Sequence, residues 1–275
     1  MDIPLYMIAF LGIGAVSLMG MRIRMGTGEG EKTSFESGAC KTIGSREIQG
    51  DAYGIVEDKD GIMAVLADGM GNGFGGKVAS RIAVEIFEDM FQDKNAFYNP
   101  QYSFRKAFHG ANKQIVDYLN GDRGAASVAA SVIKNRKLYY ASVGNVKIAV
   151  YRNKELVPLT SGHTIGALAK KKYIEGTLTR QEALSLLERH RLYNYVGQDG
   201  FWDIEFFDTP INLHGGEYIV LLSDGMCRGV SWKEMEECLE RGDCCEKMAL
   251  DLVQLVNGRI EEDMDNASIV IIRVF

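Results

Sequence analysis

An α+β domain is what this sequence predicts, and three observations predict it. Short apolar runs bounded by glycine and polar turns recur along the chain, as buried antiparallel strands require. Two long stretches, one after residue 75 and one from residue 101, carry apolar residues at the helical period. A second amphipathic pair comes late, at 232–239 and 244–256, so helices can cover more than one face of the strands.

The first segment stands apart from that domain. Ile3 to Met21 contains no charged residue, and nineteen helical residues rise about 28 Å, close to the hydrocarbon thickness of a bilayer. Arg22 and Arg24 follow it, so residues 1–24 are expected to anchor the chain in the cell membrane as a single span, with the remainder on the cytoplasmic side. Residues 25–37 are rich in Gly, Glu, Ser and Thr and read as a flexible linker. The soluble domain is then 38–275.

Ala39 to Val56 reads as strand material, and the turn Glu57–Gly61 joins it to the apolar run Ile62–Ala67. The two form a hairpin, so Asp51 and Asp68, at the ends far from the turn, become neighbours. Asp68 stands where the strand breaks into Gly69-Met70-Gly71-Asn72-Gly73, ahead of the helix from Gly76 to about Gln92. Glycines let the backbone approach something small, and an Asp followed by a Gly carbonyl offers the hard oxygens that suit Mg²⁺ or Mn²⁺. The next helix is Gln101 to about Asn120. Ser127–Ile133, Leu138–Val143, Val146–Tyr151 and Glu155–Val157 make an antiparallel meander. Thr160 to Gly200 reads as an inserted helical flap, with a capping box at Thr179–Glu182 and a solvated face at Lys170–Lys172. Phe201–Phe207 is a short strand, Glu217–Ser223 a strongly apolar one that runs into Asp224-Gly225-Met226, and Ala267–Phe275 the last, just after Asp265-Asn266.

Composition narrows the function. The chain of 275 residues is 46% hydrophobic, enough for one large core or two modest ones. Net charge is −6, pI is about 5.4, and no basic run or basic–aromatic stripe occurs, which argues against nucleic acid as a partner. The five cysteines are odd in number and lack CxxC spacing, which fits reduced thiols rather than a disulfide framework or a zinc site. What remains is acidic: Asp51, Asp68, Asp224 and Asp265 all fall at ends of expected strands. Clustered carboxylates repel unless cations neutralise them, so four together suggest a metal cluster.

The motifs that hold these residues resemble a known family. Arg46-Glu47-Ile48-Gln49-Gly50-Asp51, Asp68-Gly69-Met70-Gly71-Asn72-Gly73, Val143-Gly144-Asn145-Val146-Lys147, Ser223-Asp224-Gly225 and Asp265-Asn266 occur in the order and spacing of the bacterial-type metal-dependent serine/threonine protein phosphatases of type 2C. The resemblance covers about Gly38 to Phe275. It implies a four-layer αββα sandwich, two antiparallel sheets flanked by helices. It also implies two Mn²⁺ or Mg²⁺ ions between the sheets: Asp68 bridging, with the Gly69 carbonyl, Asp224 and Asp265 as further ligands and Asp51 on the second ion. Hydrolysis of phosphoserine and phosphothreonine in proteins that a Ser/Thr kinase has modified would proceed through a water activated by both ions, with Arg46 gripping the phosphate. Three positions depart from the family. Asn145 replaces an aspartate that helps to hold a third ion, so that site is expected to be weak or absent. Gln49 replaces an asparagine. Met70 stands where some members carry a histidine, and His163 and His190 read as ordinary polar residues of the flap. The alternative is a pseudophosphatase, a binding module with the same fold and little turnover; Asn145 and Gln49 favour it and the four aspartates oppose it.

Overall fold

The structure is a computed structural model that describes residues 34–71, 74–120, 123–259 and 263–275. The anchor expected at 3–21 lies outside the described residues; among them, no helix is long and apolar enough to cross a membrane.

One sheet holds β1 (Phe35–Thr42), β11 (Ala267–Val274), β10 (Tyr218–Leu222), β6 (Lys147–Arg152) and β7 (Glu155–Pro158), in that spatial order. The other holds β2 (Ala52–Asp58), β3 (Gly61–Gly71), β4 (Gly124–Lys134), β5 (Lys137–Val143) and β8 (Glu205–Phe206), with β9 (Ile211–Asn212) also on β5. All the pairings are antiparallel.

The side-chain period of two explains how each strand serves two cores. On β3, Ile62, Ala64 and Leu66 face the other sheet and meet Ile148, Ile219, Leu221, Val270 and Ile272. Met63, Val65 and Ala67 point the other way, onto α1 (Gly75–Gln92) and α2 (Pro100–Leu119), where Phe87 packs edge-on against Phe108. The outer face of the first sheet carries α5 (Asp224–Gly229), α6 (Trp232–Glu240) and α7 (Cys245–Asn257), through Val220, Leu222, Ile269 and Ile271. The result is the four-layer αββα sandwich. Asp68 continues the series 62, 64, 66, so its side chain falls on the inter-sheet side at the rim of that core.

Several boundaries differ from the sequence reading. β1 begins inside the expected linker, because Phe35, Glu36 and Ser37 are drawn into the ladder by Val274, Arg273 and Ile272. The strand material from Ala39 to Val56 is two strands in two sheets, broken at 43–51 where Gly44 takes a positive φ of 62°. β3 runs on to Gly71, so Asp68 lies within a strand rather than at its end. The flap contains a helix that was not expected, α3 (Ile165–Ile174), besides the expected α4 (Arg180–Leu187) with its capping box at Thr179 and Glu182.

Candidate metal centre

The hairpin register brings the first two carboxylates together. Ala52 pairs with Ala67, so Asp51 and Asp68 are the next positions on the two strands. The other two arrive from the opposite sheet. Asp224 opens α5 directly after β10, and its backbone N–H donates to Asp68 Oδ2 at 3.2 Å. Asp265 precedes β11. Ser223 and Ser268 tie those two strand ends together, with Ser268 N–H on Ser223 Oγ at 2.9 Å. Asn266 crosses between the sheets: its Oδ1 accepts from Gly50 N at 2.6 Å and its Nδ2 donates to Ile43 O at 2.8 Å.

Asp68, Asp224 and Asp265 line one cavity of about 760 Å³, together with Met70, Asn145 and Arg228. Asp51 is 3% exposed and lines a separate cavity with Lys41, Gln49 and Lys77. Its Oδ2 accepts from Ser268 Oγ at 2.6 Å, while Oδ1 is buried with no hydrogen-bond partner. Burial pushes the Asp51 carboxyl well above the usual carboxylate range, against the hydrogen bonds from Ser268 and Ser223. Asp68 is raised too, first by the protein packed around it and then by the charge of Asp51. Such a pair is costly when ionised alone, and an added cation reverses that cost. Orphaned Oδ1, all-oxygen donors and mutual repulsion fit hard divalent ions. Among the described residues, no three His, Cys, Asp or Glu side chains are already closed around a point where an ion could sit. Each outer carboxylate leans instead on a cation or donor: Asp265 on Arg46 Nε at 3.1 Å, Asp224 on Arg228 Nη2 at 2.5 Å.

The structure therefore gathers Asp51, Asp68, Asp224 and Asp265, with Gly69 beside Asp68 on β3. Arg46 is next to the cluster but not among the residues lining the cavity; Asp263 and Asp265 hold its guanidinium. The sequence reading missed Arg123, Arg191, Tyr195 and Arg228, all on the cavity wall, and placed no role on His190, which is there as well. For Arg228 the signal was present: four residues after Asp224, it shares a helix face with it once α5 forms.

His163 is the buried pin of the flap. It is 3% exposed, its Nδ1 accepts from Gly144 N at 3.1 Å, and its Nε2 faces Asp203 Oδ2 at 3.4 Å. Glu205 on β8 accepts from Ser161 N and Gly162 N, and His163 N donates to Gly144 O at 2.7 Å, which fixes the flap root to the β5–β6 turn that carries Asn145. Burial lowers the His163 pKa, outweighing Asp203 and Glu205. With its folded value below the unfolded one, His163 contributes full stability above about 6.5 and loses it as pH falls below that. Melting temperatures between pH 7 and 5 should thus fall less in His163→Gln than in the natural chain. Asp51 and Asp68 titrate in both proteins, so the difference isolates the imidazole; parallel profiles would contradict a buried neutral His163.

Known proteins resemble this chain in sequence and in fold. Over 114 residues the chain is 27% identical to protein phosphatase PhpP of Streptococcus pneumoniae, covering 42% of this chain and 44% of that protein. It thus spans under half the length of the curated relatives it matches. Among solved structures, a serine/threonine phosphatase of S. agalactiae superposes with a TM-score of 0.77 at 23% identity, over 88% of this chain and 100% of that one. The catalytic domain of the serine/threonine protein phosphatase PstP, in complex with two manganese ions, gives 0.66 at 21% identity over 88% and 99%. At these identities the superpositions speak for the fold. The family model described as protein phosphatase 2C matches residues 41–246, well over half of the sequence, and to that family this chain belongs.

Proposed function

We propose that the chain is a metal-dependent protein phosphatase that hydrolyses phosphoserine and phosphothreonine in proteins modified by a Ser/Thr kinase, tethered to a membrane by residues 3–21. The observation that carries the activity is the pairing of Asp51 and Asp68, one with a buried, partnerless oxygen, beside a cavity that Asp224 and Asp265 also line. Two divalent cations, when bound, supply a water acidic enough to attack phosphorus near neutral pH. Asp51, Asp68, Asp224 and Asp265, with the Gly69 carbonyl, are the residues that would hold them. Arg46 holds Asp265 through Nε and Asp263 through Nη1, and the phosphate contact expected of it falls to the rest of its fork. The PstP domain with two manganese ions supports the choice of metal.

The pseudophosphatase reading draws on Asn145, whose neutral side chain is tied to Ser127 Oγ at 2.8 Å. Hydrolysis of p-nitrophenyl phosphate by the full chain separates the two. Activity should vanish with EDTA and return with Mn²⁺; no turnover at saturating Mn²⁺ would favour the binding module. Resistance of the full chain to carbonate extraction checks the tether, and release into the soluble fraction would reject it.

A further inference from the structure

The two sides of the cluster are neutralised differently. On the Asp51–Asp68 side, two carboxylates share one buried region, and Lys41 Nζ bonds only the main-chain oxygen of Asp51 at 2.9 Å. On the other side, Asp224 is met by Arg228, and both line the cavity with Asn145. Asn145 brings no charge, and its Oδ1 already accepts from Ser127 Oγ. A guanidinium cannot deprotonate in a protein and is a permanent cation. A divalent ion between Asp224 and Asn145 would therefore meet a fixed like charge, one carboxylate already in use and a neutral amide. Arg228 keeps 60% of its side chain exposed while one Nη holds Asp224, so the rest of its fork is open to the cavity. Arg46, off the cavity wall, already bridges two carboxylates, Asp263 and Asp265.

We propose that Arg228 is a built-in cation of the centre: its guanidinium, seated on Asp224 beside Asn145, stands in for a further divalent ion and offers its free edge to the phosphoryl oxygens. This rests on the metal-dependent phosphatase reading. The centre then takes two ions, and one of the charges that receive the substrate is covalently part of the chain.

Two measurements on the full chain test it. The first counts bound Mn²⁺ by calorimetry. The natural chain should bind two ions. Asn145→Asp should still bind two, because the Arg228 cation lines the same cavity, whereas Asn145→Asp with Arg228→Ala should bind three. The second uses inorganic phosphate as a competitor of p-nitrophenyl phosphate hydrolysis. Arg228→Ala should raise both KM and the phosphate inhibition constant about tenfold, the loss of one charge-assisted hydrogen bond, and Arg228→Lys should recover part of it. A merely structural Arg228 would lower the melting temperature and leave phosphate inhibition unchanged. Three ions in the natural chain, a third ion in Asn145→Asp alone, two in the double variant, or unaltered phosphate inhibition in Arg228→Ala each overturn the proposal. A natural chain that binds no Mn²⁺ at all instead removes the metal-dependent reading beneath it.

Discussion

Asp68→Asn should lose more than about a hundredfold of Mn²⁺-dependent hydrolysis, since even outer-shell partners of a bound metal are commonly worth about 10–100-fold. The fold should not suffer with it. The Asp68 carboxyl is raised by burial and by Asp51, so in the metal-free protein its ionised form opposes folding. Its contribution is full below the ordinary carboxylate value near 3.8 and is gone once pH has climbed through the raised one. An amide removes the charge, and its oxygen can still accept from Asp224 N. At neutral pH without metal, the urea midpoint of Asp68→Asn should therefore equal or exceed that of the natural chain. Full activity in the variant would remove Asp68 from the centre, and a large drop in metal-free stability would make it a structural residue.

The opposite pattern is expected one position on. A Cβ on Gly69 would lie 2.2 Å from the carbonyl oxygen of Gly76 and 2.6 Å from that of Gly50. Both are main-chain atoms, so no side chain can swing aside. The start of α1 and the loop before β2 would have to separate, and these segments hold the carboxylates in place. Gly69→Ala should cost more than about 3 kcal/mol, at or beyond the upper end for overpacking, and should abolish activity. Gly110→Ala is the control: inside α2, its Cβ would meet only Ile86 Cγ2 at 3.6 Å, an ordinary contact. It should gain about 0.5–1 kcal/mol from helix entropy. Chemical denaturation of both variants checks the contrast, and equal midpoints would mean that the close approach at Gly69 is not limiting.

The acidic cluster was legible because strand period and hairpin register are local. Once the turn at Glu57–Gly61 is recognised, Asp51 and Asp68 must meet, and Ala52↔Ala67 pairs as that requires. Apolar repeats also placed α1, α2, α6 and α7 within a residue or two. What escaped was either short or long-range. β8 and β9 have two residues each, too few to show any period. α5 is six residues long and starts on Asp224, too short to show a helical period, and the Asp224–Arg228 contact goes unseen with it. α3 did carry a start signal, Thr164 capping Ala167 N, but Lys170–Lys172 obscured its apolar face. Arg46 pairs with Asp263 and Asp265 across most of the chain, and nothing local announces such a contact.

The pairing of β1 with β11 has a consequence for biosynthesis. From Phe35↔Val274 to Thr42↔Ala267, one of the earliest strands of the domain finds its partner in one of the latest. On the ribosome β1 has no β11 to join while everything between is made, and Asp265, which precedes β11, cannot reach Asp68 until that strand docks. Contacts this distant in sequence form slowly, and an unpaired strand is open to wrong partners meanwhile. The nascent chain thus carries α1, α2 and its hairpins early, and its complete acidic cluster only once β11 has docked. On the metal-dependent reading, any hydrolysis by the centre has to wait for that one docking event, however early the rest of the sandwich has formed.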